Sequence, residues 1–273
     1  MEQWLNDPMI QASLAPFTVA LAVAALLFKL RLGGLAAIAG FCTTAYLAGG
    51  LALFPLTATR KLLLLGLMTP ALGLLADFAF KATRRTEIIL GAAYGLASVW
   101  VFWSILSQKS GIGALLQGGG IAVFVGWTVG FAASLREDAV RAGAAGLALG
   151  LGAGAAAVFA ASALLGLYGM GLGAASGAVL LVQMVSGRRM HAGLTFALTF
   201  GALGALVAAA ALVQANLGWT ELAILALVPL AARIPVPEKW PVWGQSALIS
   251  SYTLACAAAA CIVAWLAGRG SPG

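Results

Sequence analysis

Residues 193–213 read GLTFALTFGALGALVAAAALV. Twenty-one residues pass without a charge, a proline or an amide, and Thr195 and Thr199 carry the only side-chain hydroxyls. A helix that crosses a hydrocarbon core about 30 Å thick needs about 20 such residues. The stretch therefore reads as one membrane-spanning helix.

The same reading extends outward in both directions. Upstream lie apolar segments at Pro8–Phe28, Gly34–Leu56, Leu62–Phe80, Ile88–Leu106, Ile112–Leu135, Ala142–Leu165 and Tyr168–Val185. Downstream lie a short one at Leu222–Ala232, with room to extend to Pro235, and a last one at Ala247–Ala267. The opening stretch is the eighth of ten. Ten helices and short turns use nearly all of the 273 residues and leave no room for a soluble domain. The chain is 62% hydrophobic and 8% charged, against about 25% charged in an ordinary soluble domain. The expected class is an all-α polytopic integral membrane helix bundle.

The net charge of +7 does not point to nucleic acid. The cations sit singly or in small groups between apolar segments, with no basic stripe interleaved with aromatics. They follow a topogenic pattern instead. With the N-terminus outside, one set of loops holds Lys29, Arg31, Lys81, Arg84, Arg85, Arg136, Arg141, Arg188, Arg189, Arg233 and Lys239. The other holds Arg60, Lys61, Lys109 and Arg269, so the count is eleven against four. Cation-rich loops stay in the cytoplasm. The expectation is a bacterial-type inner-membrane protein with both termini on the non-cytoplasmic side. Met1–Leu14 holds Glu2 and Asp7 but no Lys or Arg. It lacks the basic start of a secretory signal, so the first segment is expected to be retained. Trp100, Trp103, Trp219 and Trp265 fall toward the outer ends of their segments, as an aromatic belt would. Trp240 and Trp243, among Pro235, Pro237 and Pro241, form an interfacial connector.

Small residues forecast the packing. Gly143, Gly146, Gly150, Gly152 and Gly154 mark the sixth segment, and Gly169, Gly173 and Gly177 space the seventh at intervals of four. Lipid supplies little hydrophobic drive between helices, so close contact through small residues matters. These two segments are expected to form a tight antiparallel pair. The chain also divides into residues 1–135 and 136–273, five segments each. Gly34–Gly40 echoes Gly171–Gly177, and Thr86-Glu87 parallels Thr220-Glu221. Five helices per half would invert one half relative to the other, the 5+5 repeat common among secondary transporters. This arrangement resembles that of the drug/metabolite transporters, whose usual orientation is the reverse, with both ends in the cytoplasm. No motif ties the chain to them.

Chemistry-bearing residues are scarce. His191 is the one histidine, so bis-histidine haem ligation within the chain is excluded and a His-based metal site is not expected. Cys42, Cys256 and Cys261 form no CxxC pair and read as small packing residues. No cofactor, no metal and no enzymatic activity are expected. Asp77 is the acid deepest within an apolar segment, and a membrane carboxylate is a functional candidate. It is either a coupling residue or one half of an interfacial pair with Lys81 at i+4. Glu87 and Glu221 read as first-turn acids favoured by the helix dipole. Glu137 and Asp138 read as a solvated cluster with Arg136 and Arg141.

Substrate-binding candidates come from helix breaks. Gln117-Gly118-Gly119-Gly120 lies inside the fifth segment, and each glycine weakens a helix by about 1 kcal/mol relative to alanine. Unwound backbone at membrane depth lines cavities. Ser251 and Tyr252 belong to a hydroxyl-rich run, Ser250–Thr253, at about the repeat offset. Pro70 and Pro229 interrupt the third and ninth segments. Thr43, Thr44, Tyr46, Tyr94 and Gln183 either face a cavity or bond neighbouring helices. A secondary transporter or flippase for a small or amphipathic substrate fits this pattern best. A non-catalytic subunit or assembly factor of a larger membrane complex is the alternative, and a membrane-embedded enzyme acting on lipid comes third. The expected partners are membrane lipids, with other membrane subunits or a second copy of the chain, and no nucleic acid.

Overall fold

The structure is a computed structural model that describes residues 7–28, 32, 34–50, 54–79, 83–237 and 239–270. It is all-helical, with no strand among the described residues. A π-helical turn, Ile10–Leu14, runs into α1 (Ala15–Leu27). There follow α2 (Leu35–Gly49), α3 (Ala58–Ala79), α4 (Arg84–Leu106), α5 (Gly111–Ala133), α6 (Ala139–Phe159), α7 (Ala163–Ser186) and α8 (Gly193–Gln214). Two short pieces, α9 (Trp219–Leu225) and α10 (Val228–Ala231), precede the long α11 (Val242–Gly270). Among the described residues, eight helices are long and apolar enough to cross a membrane, while Leu35–Gly49 and Trp219–Ala231 are shorter apolar helices.

Several helices begin before their apolar segment does. Backbone bonding continues into the interface, where charged side chains are tolerated, whereas hydropathy sees only the hydrocarbon stretch. Thus α4 starts at Arg84, capped by Thr83, whose hydroxyl accepts from Thr86 N–H while the Thr86 hydroxyl accepts from Thr83 N–H. Glu87 lies in the first turn of this helix, as expected. Ser110 accepts from Gly113 N–H at the start of α5, and Asp138 accepts from Val140 and Arg141 N–H at the start of α6. Each side chain satisfies amides that the helix leaves unpaired.

The expected close pair is α6 and α7. A Cβ on Gly154 would lie 2.6 Å from the Met170 amide nitrogen, and one on Gly169 would lie 2.5 Å from the Gly154 Cα. Only glycine permits backbones this near. A second glycine contact joins α4 to α5, where Cβ atoms on Gly91 and Gly95 would each lie 2.6 Å from the Gly126 and Ala122 carbonyl oxygens. In the centre stands α8, buried from Gly193 through Ala211. It packs on α3, α5 and α6, so residues of both halves of the chain share one core.

Pro70 does not break α3. Its ring nitrogen cannot bond the Gly66 carbonyl one turn back. The Thr69 hydroxyl donates to that carbonyl instead, at 2.6 Å. The ninth segment does break, at Ala226–Leu227, just before Pro229 in the first turn of α10. The Trp127 indole N–H donates to the Ala226 carbonyl at 3.2 Å, which occupies an acceptor at the break.

The triple glycine does not unwind. α5 is continuous from Gly111 to Ala133. Glycine's helix penalty is measured in water, where a freed amide finds another partner. In an apolar surround no such partner exists, and leaving the amide unbonded costs more than glycine's entropy.

Candidate functional site

The charges expected to be a solvated cluster are instead knitted across one end of the bundle. Arg136 pairs with Glu87 on α4 and, at 3.3 Å, with Glu137. Asp138 accepts from Arg141 at 3.2 Å and from Arg189 at 3.4 Å. Arg141 also donates to the Ala232 and Ile234 carbonyls beyond α10, and Arg189 donates to the Gln245 amide oxygen on α11. The Arg136 and Glu87 side chains are about 15% exposed (14% and 16%), too enclosed for freely solvated groups. The ends of five helical elements are thereby tied into one polar layer.

Beside this layer lies a crevice with a volume near 850 Å³. Small-molecule sites span about 300–1,000 Å³. α4 and α5 form its walls, and their glycine contact sets its floor at Gly91, Gly126 and Gly130. Ile88, Val123, Trp127 and Phe131 make the lining apolar. The mouth carries Arg84, Arg136 and Arg233 against Glu87 and Glu137, three cations to two anions. Arg233 lies over the Phe131 ring, 5.7 Å from its centroid, and the Trp127 and Phe131 rings touch at a tilt of 44°, their centroids 4.4 Å apart. A space that is greasy below and cationic at the rim suits an amphipathic molecule more than a free ion.

Gln117, Gly118, Gly119 and Gly120 share α5 with this crevice but take different roles. Gly118 is buried against Leu106 and Val99 of α4. A Cβ on Gly119 would meet nothing within 4 Å. Gly120 is a notch for Trp219, whose Cη2 would lie 2.6 Å from an added Cβ. The Gln117 side-chain oxygen Oε1 is enclosed and has no hydrogen-bond partner among the described residues. Gly119 and Gly120 line a second, apolar groove of about 500 Å³ between α5 and α9, which shares Val123 and Trp127 with the crevice.

Ser251 and Tyr252 are not brought to this place. Ser251 is exposed, donates to the Ala247 carbonyl at 2.9 Å, and lines a separate cleft with Trp240 and Trp243. The structure does not unite the two groups of residues expected to share a site. The neighbouring Thr253 donates across to the Ala144 carbonyl of α6 at 3.2 Å, a packing bond.

Asp77 takes a specific structural part. Its carboxylate accepts from Leu194 N–H at 2.8 Å, from Thr195 N–H at 3.1 Å and from the Thr195 hydroxyl at 3.0 Å. It caps α8 from the end of α3, and no cap comes from α8's own sequence. Lys81 lies outside the described residues. Glu221 is buried in the first turn of α9, where the helix dipole favours it.

Glu87, Trp127, Phe131 and the glycines of the α4–α5 contact were not among the expected site residues. Gly91–Gly95 and Gly126–Gly130 each carry the four-residue spacing that marks helix contact, and that spacing was the available signal. Among the described residues no group of three or more His, Cys, Asp or Glu is placed to hold a metal. The chain matches no protein-family model and no curated protein sequence.

Proposed function

We propose that this multi-pass membrane protein is a secondary transporter or flippase that takes an amphipathic substrate into the α4–α5 crevice. The carrying observation is the crevice itself, with an apolar lining below a rim of three arginines and two glutamates. It opens on the flank of the bundle, whereas the centre is filled by α8. A substrate arriving through lipid reaches such a site, and a water-soluble solute does not. In this reading the knitted end faces the cytoplasm, the shorter helices α2 and α9–α10 complete ten crossings, and both termini lie outside. The protein moves its substrate without chemical change. The five-plus-five division fits the same reading, with the crevice walls in the first half and part of its rim, Arg136, Glu137 and Arg233, in the second.

Two outcomes test it. In proteoliposomes, the protein should carry a fluorescent single-chain amphiphile between leaflets, measured by the fraction accessible to an impermeant quencher. Gly130→Leu should stop this by filling the crevice. A Cβ on Gly130 meets only the Glu87 carbonyl, at 3.6 Å, so the variant should fold and melt like the parent. Unchanged transport in a folded Gly130→Leu protein would exclude the crevice. For orientation, a periplasmic reporter fused after Gly273 should be active, and activity confined to a cytoplasmic reporter would reverse the topology.

A second reading, a non-catalytic subunit or assembly factor, is favoured by one observation. Among the described buried residues Glu221 is the one that carries a charge, so the interior offers little for ion coupling. Stoichiometric co-purification with other membrane proteins, together with absent transport, would favour it.

A further inference from the structure

The two cavities on α5 are parts of one surface. The crevice and the apolar groove meet at Val123 and Trp127. From Gly130 to Gly119 this surface follows eleven residues of unbroken helix, about 17 Å at about 1.5 Å per residue. One leaflet of hydrocarbon is half of about 30 Å. The groove therefore has the length of one acyl chain in one leaflet. It exists because the ninth segment is short and broken, so α9 covers α5 only partly, and because Gly119 has no side chain.

The charge at one end supplies the second observation. Of the three arginines at the rim, Arg136 is paired with Glu87 and Glu137. Arg84 and Arg233 are exposed and make no ion pair among the described residues. Two unpaired guanidinium groups at the head of an acyl-length groove match a phosphodiester at the head of a lipid chain.

We infer that this surface binds an anionic phospholipid, with its phosphate at Arg84 and Arg233 and one acyl chain laid over Val123 and Trp127 toward Gly119. The inference rests on the transport reading for the site's purpose, and it adds the charge of the headgroup and the path of the tail. Selection is by charge at the rim and by the apolar face of α5 below it, at Val123, Trp127 and Gly119.

The purified full chain in neutral detergent is titrated with phosphatidylglycerol and with phosphatidylcholine of identical chains, and binding is read by native mass spectrometry. Phosphatidylglycerol should bind at least about tenfold more tightly. The double variant R84Q/R233Q should weaken it roughly thirtyfold, about fivefold per cation, and erase the preference. Gly119→Leu, placed where an added side chain meets open space, should weaken both lipids alike at an unchanged melting temperature. Glycerol phosphate without chains should not compete at equal concentration. Equal binding of the two lipids, a preference that survives R84Q/R233Q, or competition by glycerol phosphate would overturn the inference. So would a second copy or partner helix that seats on α5 and excludes lipid. Transport of amphiphile without an anionic preference would sink the inference alone. An anionic preference in a protein that moves nothing would leave the inference standing and remove the transport reading.

Discussion

Gly154→Leu should leave the protein unable to hold its native bundle. An added Cβ at this position would lie 2.6 Å from the Met170 amide nitrogen and 2.8 Å from the Gly166 carbonyl oxygen. Both obstacles are backbone, so no rotamer change relieves them, and α6 and α7 must move apart. Their separation removes contacts along the whole pair. In lipid those contacts are the main source of helix association, because burial between apolar helices gains little over lipid itself. Overpacking costs about 1–3 kcal/mol and sometimes more, and a leucine at this spacing belongs at or above the upper figure. Native proteins are stable by only about 5–15 kcal/mol. The expected result is aggregation on detergent size-exclusion chromatography, or a melting transition lowered by many degrees. Gly119→Leu serves as the control, because it adds the same side chain to the same kind of residue in open space. A Gly154→Leu protein as stable as this control would mean that the two helices are not in backbone contact.

Asp77→Ala should be the next most damaging change. The carboxylate satisfies two amides and one hydroxyl at the start of α8. That start is buried, since Leu194 and Thr195 are about 1% exposed or less (0% and 1%). Truncation leaves Leu194 N–H and Thr195 N–H unbonded, and each such group costs about 1–3 kcal/mol. A loss of about 3 kcal/mol follows, measured by thermal or denaturant unfolding in detergent. Asp77→Asn keeps an acceptor oxygen and loses the charge that favours a helix N-terminus, so about 1 kcal/mol is expected. This pair of variants separates capping from ion coupling. A cap gives graded stability losses and leaves the pH profile of transport in place. A coupling carboxylate would give a fully stable Asp77→Asn protein whose transport no longer responds to pH.

The order of the helices was legible because each long apolar segment is its own signal. The α6–α7 contact was legible for the same local reason, since Gly169, Gly173 and Gly177 recur along one face. What escaped depends on residues distant in sequence. Nothing near Asp77 announces amides that lie 117 and 118 positions later. Arg136 and Glu87 stand 49 residues apart and read separately, one as a loop charge and the other as a first-turn acid. Gln117–Gly120 was misleading because a glycine run weakens a helix only when its amides have somewhere else to turn. Between α4 and α9 they do not, and the run serves instead to let Leu106 and Trp219 pack close against α5. Ser251 is a hydroxyl spent on its own helix, as serines at membrane depth commonly are.

The polar layer at one end has a bearing on biogenesis. Arg141 finds its carbonyl acceptors at Ala232 and Ile234, and Arg189 finds Gln245. These acceptors leave the ribosome long after the arginines do. During synthesis the early hairpins hold those two guanidinium groups on the Asp138 carboxylate alone, before the later acceptors exist. The final hairpin works as a clasp, and a nascent chain arrested before Ala232 would hold these two arginines at this end of the bundle by the Asp138 pairs alone.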